Sequence, residues 1–278
     1  MRLCGKLLAG VAASAALAAS RVYYESTRML TVSEYAVDIA GFPRTVQISD
    51  LHKRQFGTRQ SQLIRCVAGL RPELIVITGD LVSRTETDFH PTAQLLRRLR
   101  ALAPVVAVPG NHELDLRPMQ YEEYRRTLLR CGVRLLENET VIFQGIRFAG
   151  ITFTRAHYRG GGLMHRSGIL ECTAQELNET LGRCEPDTVL LAHNPLWFSA
   201  YAEWGAKLTL SGHVHGGIIR LPVVGGLLSP ERRFFPRYSK GRYKQGLSEM
   251  IVSAGLGKLR LMNPPELCLL TAKGGQKT

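Results

Sequence analysis

The sequence lacks several features that mark specialised classes of protein. It has no internal repeat, no low-complexity linker and no C-x-x-C pair among its 278 residues. Its six cysteines are scattered, which argues against a disulfide framework and weakly favours a reducing compartment. Apolar residues make up 45% of the chain and charged residues 21%, so an intrinsically disordered protein is excluded.

Acidic residues are scarce relative to basic ones. The chain has 36 Lys and Arg against 23 Asp and Glu, a formal net charge of +13. This excess predicts attraction to anions such as phosphorylated substrates, acidic lipids or nucleic acid, and the alternative is a general solubility bias. Because no recognisable nucleic-acid motif accompanies the charge, we expect a membrane surface or a phosphate rather than a specific nucleic acid. No protein partner is implied.

No apolar run is long enough to cross a bilayer alone. The longest uncharged stretch near the N-terminus is residues 7–20, shorter than the roughly 20 residues that a spanning helix needs. Arg2 and Lys6 precede it, and small residues lie near its end at Ala18-Ala19-Ser20, before Arg21 interrupts it. The basic start, short apolar core and small residues resemble a secretory signal or signal anchor. We therefore predict association with a membrane. The alternative is an alanine-rich helix packed on a cytoplasmic protein.

The chain divides into two predicted parts, an N-terminal signal or membrane-anchor segment (1–30) and one catalytic domain (31–278). Within the domain, apolar runs such as 74–78 first alternate with amphipathic helices. Later runs form hairpins, one of them over 140–153 with its turn near Gln144-Gly145. This order predicts an α/β fold of two packed sheets flanked by helices.

Five short clusters of metal-binding residue types lie in order along the domain. They are Asp50-Leu51-His52, Gly79-Asp80, Gly110-Asn111-His112-Glu113, Ala192-His193-Asn194-Pro195 and Gly212-His213-Val214-His215. Each cluster follows or closes an apolar run, and strand ends are the usual location of sites in open α/β sheets. The donors are oxygen and imidazole nitrogen, which suit a borderline divalent transition ion. Seven candidate ligands are too many for one ion, so the pattern predicts a two-metal hydrolase.

Such a site suits the hydrolysis of a phosphate ester, whose negative oxygens repel a nucleophile. Two ions roughly 3.5–4 Å apart neutralise these oxygens and turn a bridging water into a hydroxide placed for in-line attack. Asp80 is the natural bridge, while Asp50 and His52 suit one ion and Asn111 the other. His112 cannot easily bind the same ion as its neighbour Asn111. It is better placed to stabilise the transition state or to protonate the leaving oxygen.

Three further expectations concern the last histidine cluster, Glu113 and His90. His213 and His215 are two residues apart, so on an extended backbone their side chains would share a face. Glu113 could orient His112 or a ligand, or it could be a helix-start carboxylate favoured by the helix dipole. His90 precedes Pro91 and is expected at a helix start.

The pattern D-x-H, G-D, G-N-H, H, G-H-x-H over residues 50–215 resembles that of the calcineurin-like metallophosphoesterase superfamily. The resemblance implies a four-layer α/β/β/α sandwich of two mixed sheets. It implies one ion bound by Asp50, His52, Asp80 and His215, a second bound by Asp80, Asn111, His193 and His213, and His112 as the catalytic histidine.

A closer resemblance extends past these motifs. Residues 49–57 and 216–222 look like the membrane-associated bacterial phosphodiesterases of the superfamily, which include a type of UDP-2,3-diacylglucosamine pyrophosphatase. It implies two ions of manganese, zinc or iron and a phosphorylated small-molecule or lipid-linked substrate at a bacterial membrane. Two departures leave the substrate-binding residues unassigned. Gly79-Asp80 continues to Ser83-Arg84 without the acidic residue common in the superfamily, and Lys258-Leu259 replaces small polar residues after the late glycines.

Two basic segments could contact an anionic substrate. In the loop 155–168, an arginine (Arg155, Arg159 or Arg166) could meet a phosphate, or the loop could be a surface excursion. In 232–244, basic and aromatic residues interleave, which suits anionic lipid headgroups or a nucleotide-lipid substrate. The alternative there is a solvated loop whose aromatic side chains pack on the sheet.

Two other functions remain open on the sequence. A nuclease-like phosphodiesterase would exploit the positive charge, and a non-catalytic protein of the same fold would keep the ligands without the chemistry. The complete ligand set argues against the second.

Overall fold

The computed structural model describes residues 14, 16–26, 29–158, 169–221, 225–228, 234–258 and 260–274. Its strands are β1 (Thr31–Val37), β2 (Thr45–Ile48), β3 (Leu74–Thr78), β4 (Val105–Val108), β5 (Arg134–Leu135), β6 (Glu139–Phe143), β7 (Ile146–Ile151), β8 (Val189–Ala192), β9 (Leu208–Ser211), β10 (Ile219–Leu221), β11 (Gly225–Leu228), β12 (Gly241–Gln245), β13 (Ser248–Val252) and β14 (Glu266–Ala272). Its helices are α1 (16–26), α2 (Ser61–Gly69), α3 (His90–Arg100), α4 (Asn111–Leu114), α5 (Pro118–Arg130), α6 (Ala174–Leu181) and α7 (Phe198–Trp204).

Two six-stranded mixed sheets form the centre of the molecule. The first has the order β1-β14-β2-β3-β4-β5 and the second the order β12-β13-β9-β8-β7-β6. In the first, β2 to β5 run parallel, and in the second β7, β8, β9 and β13 run parallel. Parallel neighbours bring their carboxyl ends to one edge, so the loops that follow them are close together. A separate antiparallel ribbon consists of β10 and β11.

The first sheet is buried on both faces, which explains the unbroken apolar run of β3. Leu74 and Val76 belong to the core between the two sheets. Ile75 and Ile77 point the other way, into a core shared with α2, α3 and α5. Because alternate residues of a strand face opposite sides, a strand covered on both sides must be apolar at every position.

The second sheet is covered in the same way. Val189 and Leu191 of β8 face the first sheet, whereas Leu190 and Ala192 pack in a core with Tyr201 of α7 and with residues of α6. The layers are therefore helix, sheet, sheet and helix. The predicted α/β/β/α sandwich is confirmed.

Most predicted elements lie where the sequence placed them. The hairpin of β6 and β7 turns at Gln144-Gly145, and α3 begins at His90. The sequence did not reveal β1, β12 or α7. Strand β1 pairs with β14, with Thr31 opposite Glu266, and a pairing between such distant segments leaves no local pattern.

Helix α1 lies outside the sandwich. Its side chains are mostly exposed, and its last residue, Ser26, accepts a hydrogen bond on Oγ from the backbone N–H of Met262 at 2.9 Å. Within the described ranges, no helix has the length and apolar character needed to cross a membrane. The role of residues 1–30 as a signal or anchor stays a prediction.

The packing between the sheets predicts a large effect for Phe148→Ala. The Phe148 side chain is fully buried between the sheets, so its truncation should lower the free energy of unfolding by about 3–5 kcal/mol. Chemical denaturation would measure the change. The matched control is Ile142→Ala on the neighbouring strand, where the side chain is 71% exposed and the expected change is within about 0.5 kcal/mol. Equal losses in the two variants would contradict the assignment of this layer as core.

Candidate metal centre

The seven predicted ligands lie in five loops at the carboxyl ends of parallel strands. Those loops follow β2, β3 and β4 of the first sheet and β8 and β9 of the second. The structure brings together one donor atom each from Asp50, His52, Asp80 and His215, and from Asp80, His193 and His213, within 4.8 Å in each group. The side chain of Asn111 adjoins the second group, since its Oδ1 lies 3.2 Å from His193 Nε2.

The geometry of the first group fits a cation. The Nε2 atoms of His52 and His215 lie 3.5 Å apart, and their rings are parallel to within 3°. Two imidazole nitrogens directed at one point repel each other unless a proton or metal ion lies between them. His215 Nε2 is also 3.5 Å from Asp50 Oδ1, and His52 Nε2 is 3.8 Å from Asp80 Oδ2. Ligands bound at about 2.0–2.2 Å lie at most about 4.4 Å apart across an ion, so the residues fit.

Asp80 belongs to both groups, as expected of a shared ligand. Its Oδ2 lies 3.4 Å from His193 Nε2 as well as near His52. Burial of the imidazole disfavours its charged form, yet the Asp80 carboxylate raises the pKa of His193 to about 10. The electrostatic field at this point therefore favours a positive charge, and a divalent ion would supply it.

The orientation of His193 is fixed by its other nitrogen. His193 Nδ1 lies 2.7 Å from the carbonyl oxygen of Thr78, to which it donates a proton. If a metal ion replaced the second proton of this ring, an imidazole that donates from Nδ1 would offer its lone pair on Nε2, the atom directed at Asp80. Such a contact behind the ligand sets its tautomer and raises its basicity.

The loops at the site have an unusual backbone. Five predicted ligands have positive φ, namely Asp50 (53°), His52 (51°), Asp80 (53°), His213 (71°) and His215 (55°). The expectation that His213 and His215 share a face on an extended backbone is therefore wrong. The left-handed conformation turns them toward different groups. Non-glycine residues in this region cost roughly 1–3 kcal/mol each and persist where the surrounding structure holds them.

Gly79 permits the close approach of two of these loops. It has φ of 86°, and a Cβ at this position would lie 2.8 Å from the Cα of Gly110 and in collision with the His193 ring. No other residue fits there. The glycine before Asp80 is thus needed to bring the carboxylate beside the loop that carries Asn111.

Glu113 ties the same loops together. One carboxylate oxygen accepts hydrogen bonds from the backbone N–H groups of Asp80 (2.9 Å) and Gly110 (2.8 Å), and the other accepts from Val82 (3.0 Å). Burial, together with the nearby Asp80 carboxylate, raises the pKa of Glu113 to about 7, against the effect of these donors. Both expectations for this residue hold, because it lies at the start of α4 and also positions the loop of a predicted ligand.

His112 adjoins both donor groups but belongs to neither. Its backbone N–H donates to Asp80 Oδ1 at 2.8 Å, while its ring Nε2 lies 4.0 Å from Asp80 Oδ2. Burial lowers the pKa of His112 to about 4, and the charge of Arg84 acts in the same direction. The imidazole is thus neutral near pH 7 and lies at the open side of the centre.

Arg84 and Tyr158 lie near the site, although no sequence motif assigned them a role. Arg84 Nη2 lies 2.8 Å from His112 Nε2, and its Nη1 lies 3.7 Å from Asp115. The one signal for Arg84 was its place where the superfamily pattern is interrupted after Gly79-Asp80. Tyr158 packs its ring edge-on against His213, 5.1 Å between centroids. Nothing in the local sequence marked it.

The two basic segments are only partly described. Arg155 pairs with Asp115 at 3.4 Å, whereas Arg159 and Arg166 lie outside the described residues. Of the second segment, Tyr238 packs against Phe198 in the core, as the simpler interpretation expected. Two others, Phe234 and Phe235, are exposed.

Substitution of Glu113 should weaken metal binding. Glu113→Gln keeps the shape of the side chain but replaces one acceptor oxygen with an NH₂ group facing a backbone N–H. We expect the affinity of the chelator-treated protein for Mn²⁺ to fall about 10–100-fold in isothermal titration calorimetry, as for the loss of other outer-shell partners. Glu122→Gln, at an exposed pair on α5, is the control and should bind as wild type does. Unchanged affinity in Glu113→Gln would refute its positioning role.

Comparison with known proteins agrees with this geometry. The family described as calcineurin-like phosphoesterase matches residues 43–217, which include every predicted ligand. The metallophosphoesterase YkuE of Bacillus subtilis (strain 168) is 28% identical, over 95% of this chain and 94% of that protein. The phosphodiesterase YaeI of Escherichia coli (strain K12) is 27% identical, over 80% and 79%.

Two further proteins are similar, one over less than half of its own length and one at low sequence identity. A bovine (Bos taurus) transmembrane protein with a metallophosphoesterase domain is 30% identical, over 67% of this chain and 44% of its own length. Among solved structures, TT1561 of Thermus thermophilus covers 78% of this chain and 91% of its own, with 15% identity and a TM-score of 0.45.

Proposed function

The chain belongs to the calcineurin-like phosphoesterase family, and from that premise we propose that it hydrolyses phosphodiester or diphosphate bonds with two divalent metal ions. The class of enzyme, a metal-dependent phosphoester hydrolase, follows from the family. The two-ion mechanism rests on one observation above all, the position of Asp80 in both donor groups.

The residues divide between the two ions as the family resemblance implies. Asp50, His52 and His215 would hold one ion, Asn111, His193 and His213 the other, and Asp80 both. When bound, such ions neutralise phosphoryl oxygens and lower the pKa of a coordinated water. Manganese, zinc and iron all suit this mixture of carboxylate, amide and imidazole donors.

His112 is the residue we propose for proton transfer to the leaving oxygen. The ring is neutral near pH 7, so it must first take up a second proton from solvent at the open side of the centre, and the negative charge of a bound phosphate favours that uptake. Its Nε2 lies 2.8 Å from Nη2 of Arg84, which can only donate, so Nε2 accepts this bond. The single proton of the neutral ring is then on Nδ1, and the 3.3 Å contact of Nδ1 with the backbone N–H of Arg84 is not a hydrogen bond in this tautomer. A protonated Nε2 cannot accept this bond, so delivery of a proton requires Arg84 to turn away. An anionic phosphoryl oxygen is the acceptor it would turn to. Substrate binding would thus free His112 and engage Arg84 in the same motion.

The substrate class we propose is a small phosphorylated molecule, nucleotide-linked or lipid-linked. The net charge of +13 favours an anionic substrate, and the similar YaeI is named a phosphodiesterase. The same charge favours nucleic acid, which is the competing substrate.

Substitution of Asp80 and His112 should separate binding from chemistry. With bis-p-nitrophenyl phosphate and Mn²⁺, Asp80→Asn should lose more than the roughly 100-fold that an outer-shell change costs, because both ions lose a ligand. His112→Ala should lose about 10²–10⁴-fold in kcat while retaining two ions per chain by metal analysis. His90→Ala, an exposed histidine on α3, is the control and should keep full activity. Full activity in Asp80→Asn would exclude the two-metal assignment.

Metal removal and a comparison of substrates should test the metal dependence and the proposed substrate class. Dialysis against a chelator should abolish hydrolysis, and separate addition of Mn²⁺, Zn²⁺ or Fe²⁺ should show which ion restores it. We expect the restored enzyme to cleave UDP-glucose-type diphosphates faster than short single-stranded DNA. Faster cleavage of DNA that declines steeply with salt would instead support the nuclease.

A further inference from the structure

A group of exposed apolar side chains lies beside the metal centre. We define the ribbon surface as Leu221 of β10, Phe234, Phe235, Leu261 and Met262, all of them exposed. Phe234 and Phe235 have 70% and 62% of their surface in solvent, although aromatic side chains usually lie inside. Contiguous apolar patches on a protein surface commonly mark an interaction site.

Backbone contacts join these residues into one small sheet. The N–H of Phe235 donates to Leu227 of β11 at 2.9 Å, and β11 pairs with β10. On the other side of β10, the N–H of Arg220 donates to the carbonyl of Leu261 at 3.1 Å. Adjacent segments in such a sheet are roughly 4.8 Å apart, so these five exposed residues lie on neighbouring segments of one small sheet.

Helix α1 is attached at the edge of this patch. The bond from Met262 to Ser26 joins the end of α1 to the ribbon surface. Over 16–25 the helix is largely exposed, including Tyr23 and Tyr24. A surface that covers α1 and the ribbon together would bury these exposed side chains.

The ribbon surface is also fixed to the metal centre. The β10 strand follows the loop of His215 after only three residues, and Asn263 Nδ2 donates to the carbonyls of His215 (2.6 Å) and Gly217 (2.8 Å). Asn263 thus ties the segment carrying Met262 to a predicted ligand loop. Whatever contacts the ribbon surface lies at a set distance from the metal centre.

The charge around the ribbon surface indicates the chemistry of its partner. Residues 214–244 contain seven basic residues and one acidic residue. Three of the basic residues, Lys240, Arg242 and Lys244, pair with Glu266 or Glu249. Arg237 and Lys258 are exposed next to the patch in sequence. Apolar and aromatic side chains surrounded by Lys and Arg match a bilayer with anionic headgroups. The core of a protein interface is instead depleted in charge.

We propose that the ribbon surface and α1 dock on an anionic lipid bilayer and hold the metal centre at the membrane. The proposal rests on the proposed function only in placing a lipid-linked phosphate within reach of the site. Tyr23 and Tyr24 lie at the headgroup level, where amphipathic aromatic rings are enriched. The sequence over 7–20, which includes the first residues of α1, carries no charge that would oppose this docking.

Vesicle co-sedimentation of the full chain tests the docking. Wild type should bind phosphatidylcholine vesicles containing phosphatidylglycerol and bind pure phosphatidylcholine much more weakly. Phe234→Ser with Phe235→Ser should lower the partition coefficient at least about tenfold. The matched control is Met119→Ser with Leu129→Ser, which removes two still more exposed apolar side chains from α5 and should bind as wild type does.

Several outcomes would overturn the proposal. Wild-type binding by the Phe234 and Phe235 variant, or equal loss in the control, would exclude the ribbon surface. A change from dimer to monomer in that variant by analytical ultracentrifugation would show that a second copy covers the patch.

Failure of the docking is distinguishable from failure of the enzymatic proposal. The Phe234 and Phe235 variant should hydrolyse soluble bis-p-nitrophenyl phosphate at the wild-type rate, whereas Asp80→Asn should bind vesicles normally. Lost hydrolysis in the first variant, or lost vesicle binding in the second, would contradict the independence of the two surfaces.

Discussion

The buried carboxylate of Asp80 is the group on which the arrangement of the whole site depends. It lies among His52, His112 and His193, and it accepts the backbone N–H of His112. A buried negative charge is costly unless positive charge or hydrogen bonds compensate it. The groups that provide this compensation are carried by loops of both sheets. Asp50 and Glu113 are also buried carboxylates, which raise the demand for cations, and Glu113 holds the Asp80 loop in place.

Much of this site could be predicted because its ligands follow local patterns. A continuous apolar run indicates a parallel strand that is buried on both faces. The polar cluster that follows such a strand lies at the edge of the sheet. The runs before Asp50, Asp80 and His193 are all of this kind, so the residues that meet in space are those that follow the strands. The two-sheet architecture followed from the same runs.

The sequence did not predict features that depend on contacts between distant segments or on the sign of the backbone φ angle. Nothing in Thr31–Val37 indicates its pairing with β14, since the partner lies more than two hundred residues away. The positive φ of His213 and His215 was missed because only glycine signals that conformation in a sequence. Glu113 was ambiguous for a related reason. Its hydrogen-bond donors are backbone groups, which carry no residue identity.

The pairing of β1 with β14 has a mechanical consequence. Seven residue pairs run in parallel from Thr31 opposite Glu266 to Val37 opposite Ala272, and α1 precedes this strand. A force applied at α1 along the strand axis loads all of these hydrogen bonds together in shear, so none can break first as in a zipper. Tension applied at the N-terminal end of β1 along this axis therefore acts on the first sheet before it acts on the ligand loops.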